Sequence, residues 1–112
     1  MIILIFVIFL LISFCKFAFS EEQSEEQKII EMGDIDYGEY LGAKCASCHH
    51  QAGGSEGIPS IHGMDAEVFV ALMLAYRSKE MENPVMQMIA GRLNDEQIGS
   101  LALYFSGLES PE

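Results

Sequence analysis

The stretch Asp34 to His49, DIDYGEYLGAKCASCH, decides how this chain folds. Asp34 is a helix N-cap residue, and Ile35, Tyr37, Tyr40 and Leu41 follow at helix-compatible spacing, which predicts a helix over Asp34 to Lys44. Gly38 and Gly42 lower its intrinsic helix propensity. They lie four residues apart on one face, however, and open that face to close approach by another helix. The helix runs into Cys45-Ala46-Ser47-Cys48-His49, the Cys-x-x-Cys-His pattern of covalent haem attachment. The spacing has a physical basis. Thiols one helical turn apart can add across the vinyl groups of a single haem, and the adjacent imidazole then meets the iron on the same face.

Other readings of the motif fit less well. A Cys-x-x-Cys redox pair sits at a helix start beside β-strands, and no segment here alternates with period two for long enough to be a strand. A zinc site can be drawn from Cys45, Cys48 and two of His49, His50 and His62, but no second Cys-x-x-Cys knuckle completes it. A chance pairing of buried cysteines leaves the histidine unexplained. Haem c, attached through Cys45 and Cys48, is the cofactor the residues favour.

Working towards the N-terminus, Glu21 to Glu31 (EEQSEEQKIIE) is acidic and Gln-rich, with only Ile29 and Ile30 to bury, and reads as a solvated spacer. Before it, Ile2 to Ile12 (IILIFVIFLLI) is an apolar run, and Ala18 and Ser20 supply small residues at −3 and −1 of a cleavage site. That is the pattern of a secretory signal cut after Ser20. An uncleaved membrane anchor and lipidation at Cys15 are the competing readings. All three place the folded domain outside the cytoplasm, in the periplasm. The expected organisation is a signal peptide over 1–20, an acidic flexible spacer over 21–33 and the folded domain over 34–109.

Working towards the C-terminus, His49 to Met64 is a Gly- and Ser-rich stretch too long for an idle loop, and suggests a chain wrapped around something. Asp65 caps a second predicted helix, Ala66 to Ser78, apolar nearly all round and expected to be buried. Glu80 to Gly91 reads as a second irregular connection, broken at Pro84 and holding Met81, Met86 and Met88. Asn94-Asp95-Glu96-Gln97 is a capping box opening a third helix, with Ile98, Leu101, Ala102 and Phe105 on one face and an end near Gly107. The fold class is all-α, three main helices around one covalently bound haem.

Composition agrees. The 112 residues are 50% hydrophobic with a formal charge of −11. Without the first twenty, 92 residues remain with 5 basic and 17 acidic side chains, a net −12. So acidic a surface excludes nucleic acid and anionic lipid as partners, since phosphate contacts need Lys and Arg. A domain of this size has a thin core that a cofactor would complete.

His49 supplies one axial ligand; His50, its neighbour, cannot easily cross the ring to supply the other. Met73 lies mid-helix, where Met is core filler. His62 follows Pro59 in the long loop, where exposure near the haem edge is the plain expectation. The cluster Met81, Met86 and Met88 is better placed, because a loop through Pro84 can cross the far face of the macrocycle.

From about Tyr37 to Leu108 the chain resembles the class I cytochromes c. The likeness rests on the Gly/aromatic first helix, Cys45 to His49, Pro59 in the following loop and a last helix ending Leu103-Tyr104-Phe105. Within that class, Asn83 to Ile98 (NPVMQMIAGRLNDEQI) looks like the Met-x-x-Ile-Ala-x-x-Leu-x-Asp-x-x-Ile pattern of small bacterial domains, among them the cytochrome subunit of flavocytochrome c sulfide dehydrogenase. The resemblance implies that Met86 is the distal ligand and that the Pro59 carbonyl accepts the ring N–H of His49. It also implies a one-electron carrier, not an enzyme, reduced by a redox partner such as a sulfide-oxidising flavoprotein. Glu80 and Glu82 near the Met cluster would steer a basic patch on that partner. The rival class is a haem enzyme or gas sensor whose sixth ligand is labile or absent.

Overall fold

The computed structural model describes residues 1–14, 21–51 and 57–111, and among these every regular element is helical. The helices are α1 (Ile2–Phe14), α2 (Glu25–Glu31), α3 (Ile35–Ala46), α4 (Ala66–Arg77), α5 (Pro84–Gly91) and α6 (Asp95–Ser106). The fold is all-α. α1 packs on none of the other helices, and its side chains stand exposed from Met1 to Leu11. No helix among the described residues is long and apolar enough to cross a membrane. The expected cleavage site at Ala18 and Ser20, and Cys15, lie outside the described residues.

α6 is the hub, in contact with α2, α3 and α4. Its inner face carries Ile98, Leu101, Ala102 and Phe105, all buried, as the capping-box reading predicts. Phe105 stacks on Phe69 of α4 with ring centroids 6.0 Å apart and meets Tyr104 edge-on at 5.1 Å. The expected caps are all in place. Asp34 Oδ1 accepts from the Tyr37 amide at 2.9 Å, Asp65 Oδ1 from Val68 at 3.1 Å, and Asn94 Oδ1 from Gln97 at 2.9 Å, while Gln97 Oε1 accepts from the Asn94 amide at 3.0 Å.

α3 and α6 meet where the glycines anticipate it. A Cβ on Gly38 would collide with the Ser100 carbonyl, and one on Gly42 would lie 2.9 Å from the Tyr104 ring. Ser100, fully buried, donates to the Glu96 carbonyl at 2.7 Å and accepts from the Asp34 amide at 2.9 Å. This hydroxyl ties the N-cap of α3 to the body of α6.

In three places the helices depart from the sequence reading. The segment expected to be a flexible spacer contains α2, capped by Ser24, whose Oγ accepts from Gln27. Ile29 of α2 is 2% exposed because Gly33 and Gly99 let the α2 turn lie against the α6 main chain. The connection expected to be irregular contains α5, since Asn83 caps a helix and Pro84 occupies its first turn, where a missing N–H costs nothing. α4, expected to be buried nearly all round, buries Phe69, Val70 and Met73 but leaves Val68 49% exposed.

The α3–α6 contact gives a stability test. Gly38→Ala drives a methyl into main chain that cannot swing aside and should cost about 2–3 kcal/mol, or roughly 10–20 °C in Tm for a domain of this size. Gly91→Ala adds its methyl to open space and should be neutral or slightly stabilising. Equal melting temperatures for the two variants would contradict the packing.

Candidate cofactor site

The Cys-x-x-Cys-His motif forms the end of α3. Cys45 lies in the last turn, and its carbonyl accepts from the amides of both Cys48, at 3.2 Å, and His49, at 2.8 Å. Ser47 Oγ donates to the Lys44 carbonyl at 2.7 Å, which satisfies a further free carbonyl of the helix end. The turn therefore continues past the helix and holds both thiols and the imidazole on a fixed backbone. Cys45 is half-buried and packs against the core, Cys48 is exposed, and both are free thiols.

Burial pushes the Cys45 thiol above its usual range, only partly opposed by a hydrogen bond from its own backbone; a charged Cys48 nearby would push it further the same way. A redox-active Cys-x-x-Cys needs the opposite, a thiol pulled down toward the thiolate at neutral pH. The zinc arrangement is not assembled either. Among the described residues no group of three or more His, Cys, Asp or Glu side chains converges.

His49 is half-buried, and its Nδ1 lies 2.7 Å from the carbonyl oxygen of Pro59. A carbonyl can only accept, so Nδ1 must carry the proton. In the neutral ring that fixes the tautomer, puts the lone pair on Nε2, and sets the plane of the ring. This is how a metal-ligating histidine is oriented by a neighbour that never touches the metal. Pro59 thus acts through its main chain.

The stretch after Pro59 is itself anchored. Ile61 is buried, and Gly63, at φ 75°, donates its amide to the Phe105 carbonyl at 2.9 Å. The loop that holds His49 is so tied to the end of α6. Sequence reading missed Ile61 and Gly63 as anchors; a lone glycine beside a His-Met pair was the one signal available. His62 is half-buried, its ring 5.9 Å from Phe105, and not the exposed side chain expected of it; His50 is exposed.

The methionines sort by face. On α5, Met86 and Ala90 lie four apart on the side turned inward: Ala90 is fully buried, and Met86 is half-buried against the core. Val85 and Met88, three apart, are 58% and 51% exposed on the opposite side. Met81 is 38% exposed, and Met73 is buried in the core, as expected of filler. Of the candidates between α4 and α6, Met86 is the one whose helix position directs it inward.

The donor set suits a covalently held haem: free thiols one turn apart, an imidazole whose Nδ1 is held by a carbonyl, and an inward thioether on a separate helix. Bound there, haem would be held by Cys45, Cys48, His49 and Met86.

No family model matches the chain. Over 91 residues, 81% of its length, it is 26% identical to a protein of Stutzerimonas stutzeri (strain A1501) described as a thiosulfate dehydrogenase electron acceptor. The chain spans 42% of the length of that relative.

Proposed function

We propose that this chain is an exported electron-transfer protein of the cytochrome c type, carrying one haem c on Cys45 and Cys48 with His49 and Met86 as axial ligands. The observation that carries the reading is the His49 Nδ1 to Pro59 carbonyl bond of 2.7 Å, beside paired free thiols. The same orientation would serve a zinc-ligating histidine, but among the described residues no group of three or more His, Cys, Asp or Glu side chains converges to complete a zinc site. The relative's description as an electron acceptor supports the same role.

Haem with histidine and thioether ligands supplies a reversible one-electron couple and leaves no open coordination position. The protein's part is to hold, orient and shield. The end of α3 fixes the thiols, Pro59 fixes the imidazole, and the inner face of α5 presents a soft sulfur donor that favours the reduced metal. No general acid or base is needed, so the chain works as a carrier and not as an enzyme. Its electron donor would be a dehydrogenase of a reduced sulfur compound. The sequence pattern points to a sulfide-oxidising flavoprotein and the relative's name to thiosulfate. That chemistry is common to both, and the partner is assigned to it.

Three outcomes test the reading. Cys45→Ala/Cys48→Ala, exported with a haem maturation system, should lose the covalent c-type pyridine haemochrome; a retained signal would sink the attachment. Met86→Ala should abolish the weak Met–iron charge-transfer band of the ferric protein and let the ferrous protein bind carbon monoxide. Its potential should fall by on the order of 0.1–0.2 V, a modest part of the ~0.8 V that axial ligands span. A wild-type ferrous protein that already takes up carbon monoxide would instead favour a gas-binding or peroxidase-like role. Finally, intact-mass analysis of the exported protein should place the mature N-terminus at Glu21; a chain still beginning at Met1 would make the N-terminal segment an anchor.

A further inference from the structure

The side chain that holds Met86 in place is Asn83. Asn83 Oδ1 accepts from the Met86 amide at 3.1 Å, and the Asn83 carbonyl accepts from the Gln87 amide at 2.8 Å. Gln87 closes the turn from the other side, its Nε2 donating to the Met81 carbonyl at 2.9 Å. Pro84, with its fixed φ and no N–H to satisfy, stands between them in the first turn. Met86 is therefore bracketed by side-chain bonds at both edges of the turn that carries it.

α5 has little else to hold it. It runs for eight residues, well below the ~12–15 at which an isolated helix becomes even marginal in water. Among the helices it packs on α4 and no other. α2, α3, α4 and α6 each have an acidic residue in the first turn to complement the helix dipole, and α5 has none there and no basic residue in its last turn. Its N-terminal amides depend on Asn83.

We propose that Asn83 is a positioning residue for the axial methionine: its side-chain cap keeps the Met86 turn helical, and so keeps the thioether turned inward. The inference rests on Met86 being the ligand. Losing an N-cap costs about 1 kcal/mol, which corresponds to roughly a fivefold change in an equilibrium. The expected consequence is a fivefold larger fraction of protein with Met86 dissociated, while His49 ligation and covalent attachment are unaffected.

The experiment uses exported holoprotein in four forms: wild type, Asn83→Ala, Asn83→Asp and Met86→Ala. Asn83→Ala should weaken the Met–iron charge-transfer band, raise carbon monoxide uptake by the ferrous protein about fivefold, and speed hydrogen exchange of the Met86 amide by a similar factor. Asn83→Asp keeps the capping oxygen and should restore all three. Met86→Ala separates the possible failures. If it leaves the band intact, the ligand assignment is wrong. If it removes the band and Asn83→Ala behaves as wild type, the ligand assignment stands and the positioning role is overturned. A lower melting temperature for Asn83→Ala with no change in band, carbon monoxide uptake or Met86 exchange would also overturn it, leaving a cap that stabilises the fold without serving the ligand.

Discussion

The half of the site that carries the thiols and His49 depends on the absence of a side chain at Gly38. Without it, α3 lies on the main chain of α6 at Ser100, and the buried Ser100 hydroxyl joins the start of one helix to the body of the other. α3 is thereby held along its length, and its last turn carries the thiols. α6 also receives the loop beyond the motif, through the Gly63 amide on the Phe105 carbonyl. Both ends of the His49 arrangement, the helix that bears the ring and the carbonyl that orients it, are referred to the same helix. A site built on one rigid reference needs little additional structure, and this chain has little to offer.

The other half of the site is built differently. α5 reaches the bundle through α4, and the residues it sets against the core are Met86 and Ala90. The two halves differ in how they are held. The attachment side draws on close main-chain packing deep in the structure, whereas the methionine side draws on local capping at a short helix. In the proposed site a covalent bond through the cysteines would tolerate fluctuation of the protein around it, whereas a thioether ligand could leave. The exchangeable ligand proposed at Met86 would thus be carried by the more weakly tethered element, with short-range hydrogen bonds supplementing its packing on α4.

What could be read from the sequence was whatever a few neighbouring residues decide. Asp34, Asp65 and Asn94 each signal a helix start through a bond made within the next three residues, and all three are observed. The Gly38–Gly42 spacing carried its message because a missing Cβ is a property of the residue itself. α2 was hidden because its one buried residue, Ile29, packs into a core drawn from far along the chain, where Gly99 lets the Ile29 main chain lie against α6. α5 was hidden for another reason: Asn-Pro both ends helices and begins them, and here the Asn83 side chain caps the turn that follows while α5 packs on α4. At the site, the motif made Cys45, Cys48 and His49 legible, while the choice of Met86 over Met88 came from the family resemblance and not from the residues themselves. The helical phase of α5, which a segment read as irregular does not have, is what turns Met86 inward and Met88 outward.

The acidity of the chain changes meaning once the helices are in place. Eight of the 17 acidic side chains sit at helix N-caps or first turns: Glu25 and Glu26, Asp34 and Asp36, Asp65 and Glu67, Asp95 and Glu96. Lys28, Lys44 and Arg77 occupy last turns. Each such placement is worth about 0.3–1 kcal/mol against the helix dipole, and a small bundle of short helices gains from having many termini to satisfy. Arg77 does more, reaching Asp95 at 2.8 Å and the Leu93 carbonyl to lock the end of α4 to the start of α6. At part-exposed positions such an ion pair contributes geometry more than energy. Much of the negative charge is therefore accounted for by folding, residue by residue, before any partner is invoked. What docking can draw on is the whole net charge of −12 on residues 21–112, summed over the surface. A field of that kind speeds encounter with a positively charged partner and fades with salt, but it does not select one carboxylate over another.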